Sequence, residues 1–201
     1  MDRSDHALES LRMNVRNLIP TVAICCAAML HVAAIPVREV SGVSMPEIAS
    51  VGNRELRLNG MGVRSEKAFF KVYVVALYLE ELTQDAQVAI STEEEKRIVI
   101  TMLRDISRDQ FVKALEASIL RNSSADIAKL RPRLDLLENA LPAPKKADVL
   151  SFTYLPGVGT EMRGGGRELT IPGKDFADAL LSIWLGPKPL SGTLKRQLLT
   201  G

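Results

Sequence analysis

The sequence predicts an α+β fold, a large antiparallel sheet covered on one side by a layer of helices. Three observations lead there. Strand-like segments crowd the first half of the chain, helix-like segments fill the middle, and further strands precede terminal helices, which is not the regular alternation of a parallel doubly wound sheet. The stretch Phe69 to Glu80, FFKVYVVALYLE, is β-branched, aromatic and apolar on both faces, as a central strand must be. Glycine-containing turns, Gly52-Asn53 and Gly164-Gly165-Gly166, fall between strand-like runs where a tight hairpin needs positive φ.

In chain order, residues 1–34 read as an export signal. Arg12 and Arg16 precede the apolar run Leu18 to Ala34, which closes on the small residues Val32-Ala33-Ala34. Asp2, Asp5 and Glu9 dilute the charge ahead of that run, so Met13 is an alternative start. The same run is about as long as the shortest membrane-spanning helices, roughly 17 residues, and an uncleaved anchor is the alternative to cleavage. Residues 35–46 read as a lead-in, and 47–201 as the folded domain. Within that domain, Glu47 to Val51 and Arg54 to Leu58 flank the first hairpin turn. After the central strand, Lys96 to Leu103 forms another. Ser107 to Leu120 spaces Phe111, Leu115 and Ile119 along one helical face, with Ser107 as N-cap. A further helix carries Ile127, Leu130, Leu134, Leu137 and Leu141, with Pro132 delaying or kinking it. Val149 to Leu155, Thr160 to Arg163 and Arg167 to Ile171 read as strands. Lys174 to Leu185 is a helix ending at Gly186-Pro187, and a short helix starts at Ser191.

Composition narrows the chemistry. The 201 residues, 46% hydrophobic and 25% charged, suffice for one substantial core. The 26 basic against 24 acidic residues leave a net charge of +2, too little surplus to suggest a nucleic-acid partner. Both cysteines, Cys25 and Cys26, and both histidines, His6 and His31, lie in the signal segment. A chain cleaved after Ala34 would lack the residues for a cysteine nucleophile, a Ser-His-Asp triad, a disulfide or a zinc site with His or Cys ligands. Its chemistry would rest on Arg, Lys, Tyr, Ser, Thr and carboxylates.

Few motifs stand out. Leu58-Asn59-Gly60-Met61-Gly62-Val63-Arg64 lacks the Lys-Ser/Thr pair and the glycine spacing of a phosphate loop, so its glycines suit a bulge or a turn. A short turn through Ser65, Glu66 and Lys67 returns the chain and sets Arg64 near the start of the central strand. There it either holds a carboxylate or phenolate, or makes a surface ion pair with Glu66. Tyr73 and Tyr78 fall on opposite faces of that strand, each a ligand contact or a satisfied core residue. Arg104-Asp105 reads as an ion pair or a helix cap, and Glu93-Glu94-Glu95 as a solvated turn. Glu161 has no partner acid at a recognisable spacing.

Three clusters together, Leu58 to Arg64, Lys71-Val72-Tyr73 with Ala76 to Leu79, and Met102 to Asp105, resemble the chalcone isomerase superfamily, in particular its bacterial chalcone-isomerase-like proteins. Ile171-Pro172-Gly173, Ile183 to Gly186 and Leu194-Lys195 extend the resemblance from Ser41 to the end. It implies an open-faced β-sandwich with a ligand cleft between the large sheet and its helices, and no cofactor or metal. Arg64 stands where the family's functional arginine stands. Tyr73 replaces the catalytic threonine of the plant enzymes, no tyrosine occurs between Ser123 and Leu134, and Ile183 replaces a second threonine.

Non-catalytic members of the superfamily bind fatty acids through an arginine and a tyrosine that Arg64 and Tyr73 resemble. Together with the export signal, the resemblance implies a periplasmic or secreted binder of a fatty acid or similar amphipathic anion, with Arg64 and Tyr73 at the head group. The alternative is a cofactor-independent isomerase, an intramolecular lyase acting on a chalcone-like phenolic substrate through the same two residues. A ligand-free interaction module is a third possibility.

Overall fold

The computed structural model describes residues 36–67, 69–122 and 127–200. The export signal read in residues 1–34, with Met13 and both cysteines, lies outside the described residues. Residues 37–46, part of the stretch read as a lead-in, form a hairpin, β1 (Val37–Val40) and β2 (Val43–Pro46), turning through Ser41 and Gly42. Seven strands then make one antiparallel sheet in sequence order: β3 (Ile48–Val51), β4 (Arg54–Glu66), β5 (Phe70–Leu79), β6 (Lys96–Met102), β7 (Val149–Leu155), β8 (Gly159–Gly164) and β9 (Arg167–Ile171). Helices interrupt this meander. A short α1 (Ala86–Ser91) lies between β5 and β6, α2 (Arg108–Asn122) and α3 (Ile127–Ala140) between β6 and β7, and α4 (Lys174–Leu185) and α5 (Gly192–Leu198) follow β9. The expected α+β architecture is the one observed.

Burial on both faces of β5 explains its composition. Val75, Leu77 and Leu79 pack with Ile98, Ile100, Leu115, Ile119, Leu180 and Trp184 under the helices. Val74, Ala76 and Tyr78 pack on the other face with Leu56, Leu58 and Met61, beneath Val40, Val43 and Met45 of the hairpin. Each fully buried Leu, Ile or Val contributes about 1.5–3 kcal/mol. The two expected hairpin turns are present: Val51 pairs with Arg54 around Gly52-Asn53, and Gly164 with Arg167 around Gly165-Gly166. Gly52, Gly165 and Gly166 all have positive φ.

The glycines of the Leu58–Arg64 segment have a more specific reason than a turn. The pairing with β5 slips between Leu58 and Gly60, a bulge at Asn59. The fully buried Asn59 side chain donates to Leu198 O (2.7 Å) and Thr83 O (2.9 Å) and accepts from Thr83 N (2.7 Å). A Cβ on Gly60 would overlap the backbone of Gln197 and Leu198, and one on Gly62 would overlap the side chains of Gln197 and Leu194. The missing side chains admit α5, which Asn59 then holds against β4.

The segment 81–95 differs most from its sequence reading. Asp85 caps α1 by accepting from Gln87 N (2.7 Å) and Val88 N (3.3 Å). Lys96 closes the other end, donating to Ala89 O (2.9 Å), Ile90 O (3.1 Å) and Thr92 O (2.8 Å). Burial, helped by nearby Lys174, pulls Lys96 down to about 8, while those carbonyls favour its charged form. Glu93 to Glu95 do not form a merely solvated turn. Glu93 accepts from the Tyr154 hydroxyl, and the largely buried Glu95 pairs with Arg54 at 3.5 Å. α3 spans Ile127–Ala140 and accommodates Pro132 within it.

Candidate functional site

The β4–β5 hairpin brings Arg64 and Tyr73 together. Glu66 pairs with Phe70 at the tip, and the register places Arg64 directly opposite Tyr73. Directly opposed residues of an antiparallel pair project to the same face, and here that face meets α2 and the segment leading into it. A cavity of about 430 Å³ lies between them. Its polar lining includes Arg64, Tyr73, Arg104, Gln110 and Lys113, and its apolar wall is Val72, Ile106, Phe111, Ala114 and Leu190. The volume is that of a small-molecule site.

The two central residues are both donors with capacity to spare. Arg64 donates to Ser65 O and makes no ion pair among the described residues. The surface pair with Glu66 is therefore not formed, although Glu66 also lines the cavity. Tyr73, only 5% exposed, accepts a hydrogen bond from Trp184 Nε1 at 3.3 Å. Burial pushes its phenol up to about 12, against the opposing pulls of that hydrogen bond and of Arg64. The phenol is thus protonated at neutral pH, and its own proton has no acceptor among the described residues. A guanidinium beside a protonated phenol is a pair of donors suited to one anionic oxygen group.

Other residues divide between site and scaffold. Tyr78 faces away from the cavity and donates to Pro46 O (2.9 Å), fastening the β1–β2 hairpin to the sheet. Arg104 and Asp105 are not an ion pair: Arg104 lines the cavity, while Asp105 accepts from Lys146 N (2.8 Å) and pairs with Lys145 at 3.5 Å. Ser107 does cap α2, its Oγ accepting from Gln110 N at 3.3 Å. Ile183 is fully buried in the core. Glu161 pairs with Arg163 at 3.3 Å. Among the described residues, no group of three His, Cys, Asp or Glu side chains is placed to hold a metal ion.

Sequence reasoning missed Arg104, Gln110, Lys113 and the Trp184 contact. Gln110, Lys113 and Ala114 carried a signal, because their spacing puts them on one helical stripe beside the core stripe of Phe111, Leu115 and Ile119. Arg104 carried none without the register that sets Met102 opposite Tyr73.

Comparison with known proteins agrees with this architecture. The family model described as chalcone isomerase-like matches residues 37–200. Among solved structures, the crystal structure of a fatty-acid binding protein of Arabidopsis thaliana superposes with a TM-score of 0.63 at 14% identity. The match covers 82% of this chain and 96% of that one. At that identity the likeness is one of fold. No curated protein matches the sequence.

Proposed function

The chain belongs to the chalcone isomerase-like family, and on that footing we propose that it binds a fatty acid or a similar amphipathic anion without transforming it. One observation carries the reading: Arg64 and Tyr73 face one another across β4–β5 at the cavity wall, Arg64 without a carboxylate partner and Tyr73 with its proton unengaged. A carboxylate removed from water needs such donors to offset its desolvation. Arg104 and Lys113 add positive potential at the same wall. Val72, Ile106, Phe111, Ala114 and Leu190 offer the apolar surface for the first part of a chain. The occurrence of the fold in a protein named for fatty-acid binding supports the same choice of ligand. Export belongs to the proposal as well, supported by the apolar run Leu18 to Ala34 behind Arg12 and Arg16. Its destination would be the periplasm or the medium.

The rival reading, isomerisation of a phenolic substrate, would use Arg64 to hold an oxyanion and Tyr73 to donate a proton. A phenol raised to about 12 stays protonated at neutral pH and cannot serve there as the base, so formation of the attacking phenolate would fall to another group.

The test is native mass spectrometry of the purified protein followed by organic extraction, with wild type beside Arg64→Ala. A fatty acid that travels with the wild type and is lost from the variant is the expected result. A wild-type protein that is empty and takes up no added fatty acid would refute the proposal and bring chalcone turnover forward as the next assay.

A further inference from the structure

Seven of the chain's nine aromatic side chains are buried; the two that are not, Phe69 and Phe70, are neighbours at the tip of the β4–β5 hairpin. Phe69 is 87% exposed and Phe70 55%. No other large apolar side chain among the described residues exceeds 62%. The turn itself does not call for them. The two-residue turns at Ser41-Gly42, Gly52-Asn53 and Gly165-Gly166 each place a glycine at positive φ, whereas here Lys67 takes φ +46 and the phenylalanines follow.

The surroundings indicate what covers the tip. Lys67 and Lys71 bracket the pair and are exposed, Lys71 also donating to Ser41 Oγ (3.0 Å). The strand registers carry Arg104, Lys145 and Lys146 to the same end of the sheet, next to half-exposed Val149. The acids there are Glu66, Asp105 and Asp148. Asp105 is engaged by Lys145 and Lys146, and Asp148 accepts from Lys145 N (2.8 Å). An apolar aromatic point ringed by a surplus of cations is complementary to an anionic lipid surface: the rings enter the interface while the lysines stay at head-group level. Two pairs back from the tip of the same hairpin, Arg64 and Tyr73 open onto the cavity.

We infer that the β4–β5 tip is a membrane-docking point that seats the protein on an anionic bilayer through Phe69, Phe70, Lys67 and Lys71. It sets the cavity beside the lipid surface, whatever ligand the cavity takes.

The experiment is co-flotation of the purified protein with phosphatidylcholine vesicles made with and without phosphatidylglycerol. The wild type is expected to float with the phosphatidylglycerol vesicles and to release as salt rises. Phe69→Ser/Phe70→Ser should weaken binding about ten-fold or more, and each of Lys67→Ser and Lys71→Ser roughly five-fold. Melting temperatures and fatty-acid uptake should be those of the wild type, because none of these four side chains lines the cavity. Three results would overturn the inference: no flotation of the wild type, flotation unaltered in the phenylalanine variant, or a wild-type dimer that this variant dissolves. The last would assign the tip to a second copy of the chain. Fatty-acid uptake is read separately in every case, so failure to dock is distinguishable from failure of the binding proposal.

Discussion

Replacing Tyr73 by Phe removes one oxygen and separates the two roles assigned to it. In the scaffold, that oxygen accepts from Trp184 Nε1 at 3.3 Å, and Trp184 is 1% exposed. Loss of the acceptor leaves a buried indole N–H unpaired, which costs about 1–3 kcal/mol, and the length of the bond places this case near the lower end. In the site, the phenol supplies a hydroxyl donor opposite Arg64, and a hydrogen bond to a charged group contributes about 1.5–3 kcal/mol. The expected loss in affinity is therefore roughly 10- to 150-fold. Tyr78→Phe is the matched control: it too loses a hydroxyl bond, to Pro46 O at 2.9 Å, but on the opposite face of β5. Titration calorimetry with dodecanoate, paired with urea unfolding, reads both effects. Tyr73→Phe should weaken binding and lower stability modestly, and Tyr78→Phe should change stability alone. Equal affinities in the two variants, or wild-type affinity in Tyr73→Phe, would refute the assignment of the head group to Tyr73.

Gly60→Ala forces a methyl group into the backbone of Gln197 and Leu198 and should displace α5, weakening the Asn59 bond to Leu198 O and the burial of Leu194 and Leu198. A loss of roughly 2–5 kcal/mol in urea unfolding, with faster hydrogen exchange across 192–198, is expected; an unchanged midpoint would show that α5 is not held there. Tyr73 and Tyr78 are both pushed up to about 12 by burial, and Tyr154 is raised too. Because the unfolded chain loses phenolic protons near pH 10, stability should fall as pH rises from about 10 towards 12. Absorbance at the phenolate band should then rise together with unfolding, and titration near pH 10 with the fold intact would contradict the burial of these hydroxyls.

The sheet was legible because its evidence is local. Apolar residues on both faces of Phe69 to Glu80 and glycines at two hairpin turns need no knowledge of distant contacts, and β7, β9 and α4 have the bounds expected from such signals. α1 was not legible, since its six residues owe their helix to Asp85 at one end and Lys96 at the other. A lysine that opens a strand gives no sign that it caps the helix before it. Nor could the role of Gly60 and Gly62 be read, because what excludes a side chain there is a helix more than 130 residues further on. At the site, Arg64 and Tyr73 were found by resemblance, and the local pattern left each with a bland alternative. Of the alternatives, the ion pair of Arg64 with Glu66 is not formed and Tyr78 fastens the hairpin to the sheet, while Tyr73 both lines the cavity and packs in the core against Trp184.

The protonation state of Tyr73 bears on the choice between binding and catalysis. An enzyme that closes a phenolic ring must first produce a phenolate, which requires a base matched to neutral pH. The cavity wall offers Arg64, Arg104 and Lys113 as cations and a phenol raised to about 12, while of its two carboxylates Asp105 is tied to Lys145 and Lys146. Such a wall stabilises a negative charge that arrives already formed, and it has little with which to make one. A fatty acid is ionised in water before it reaches Arg64; a chalcone phenol would have to lose its proton within the site. On the proposed reading, affinity should therefore follow ionisation of the ligand. Dodecanoate should bind with constant affinity from neutral pH up to the onset of tyrosine titration and weaken as its carboxylate protonates, whereas its methyl ester should bind poorly at every pH.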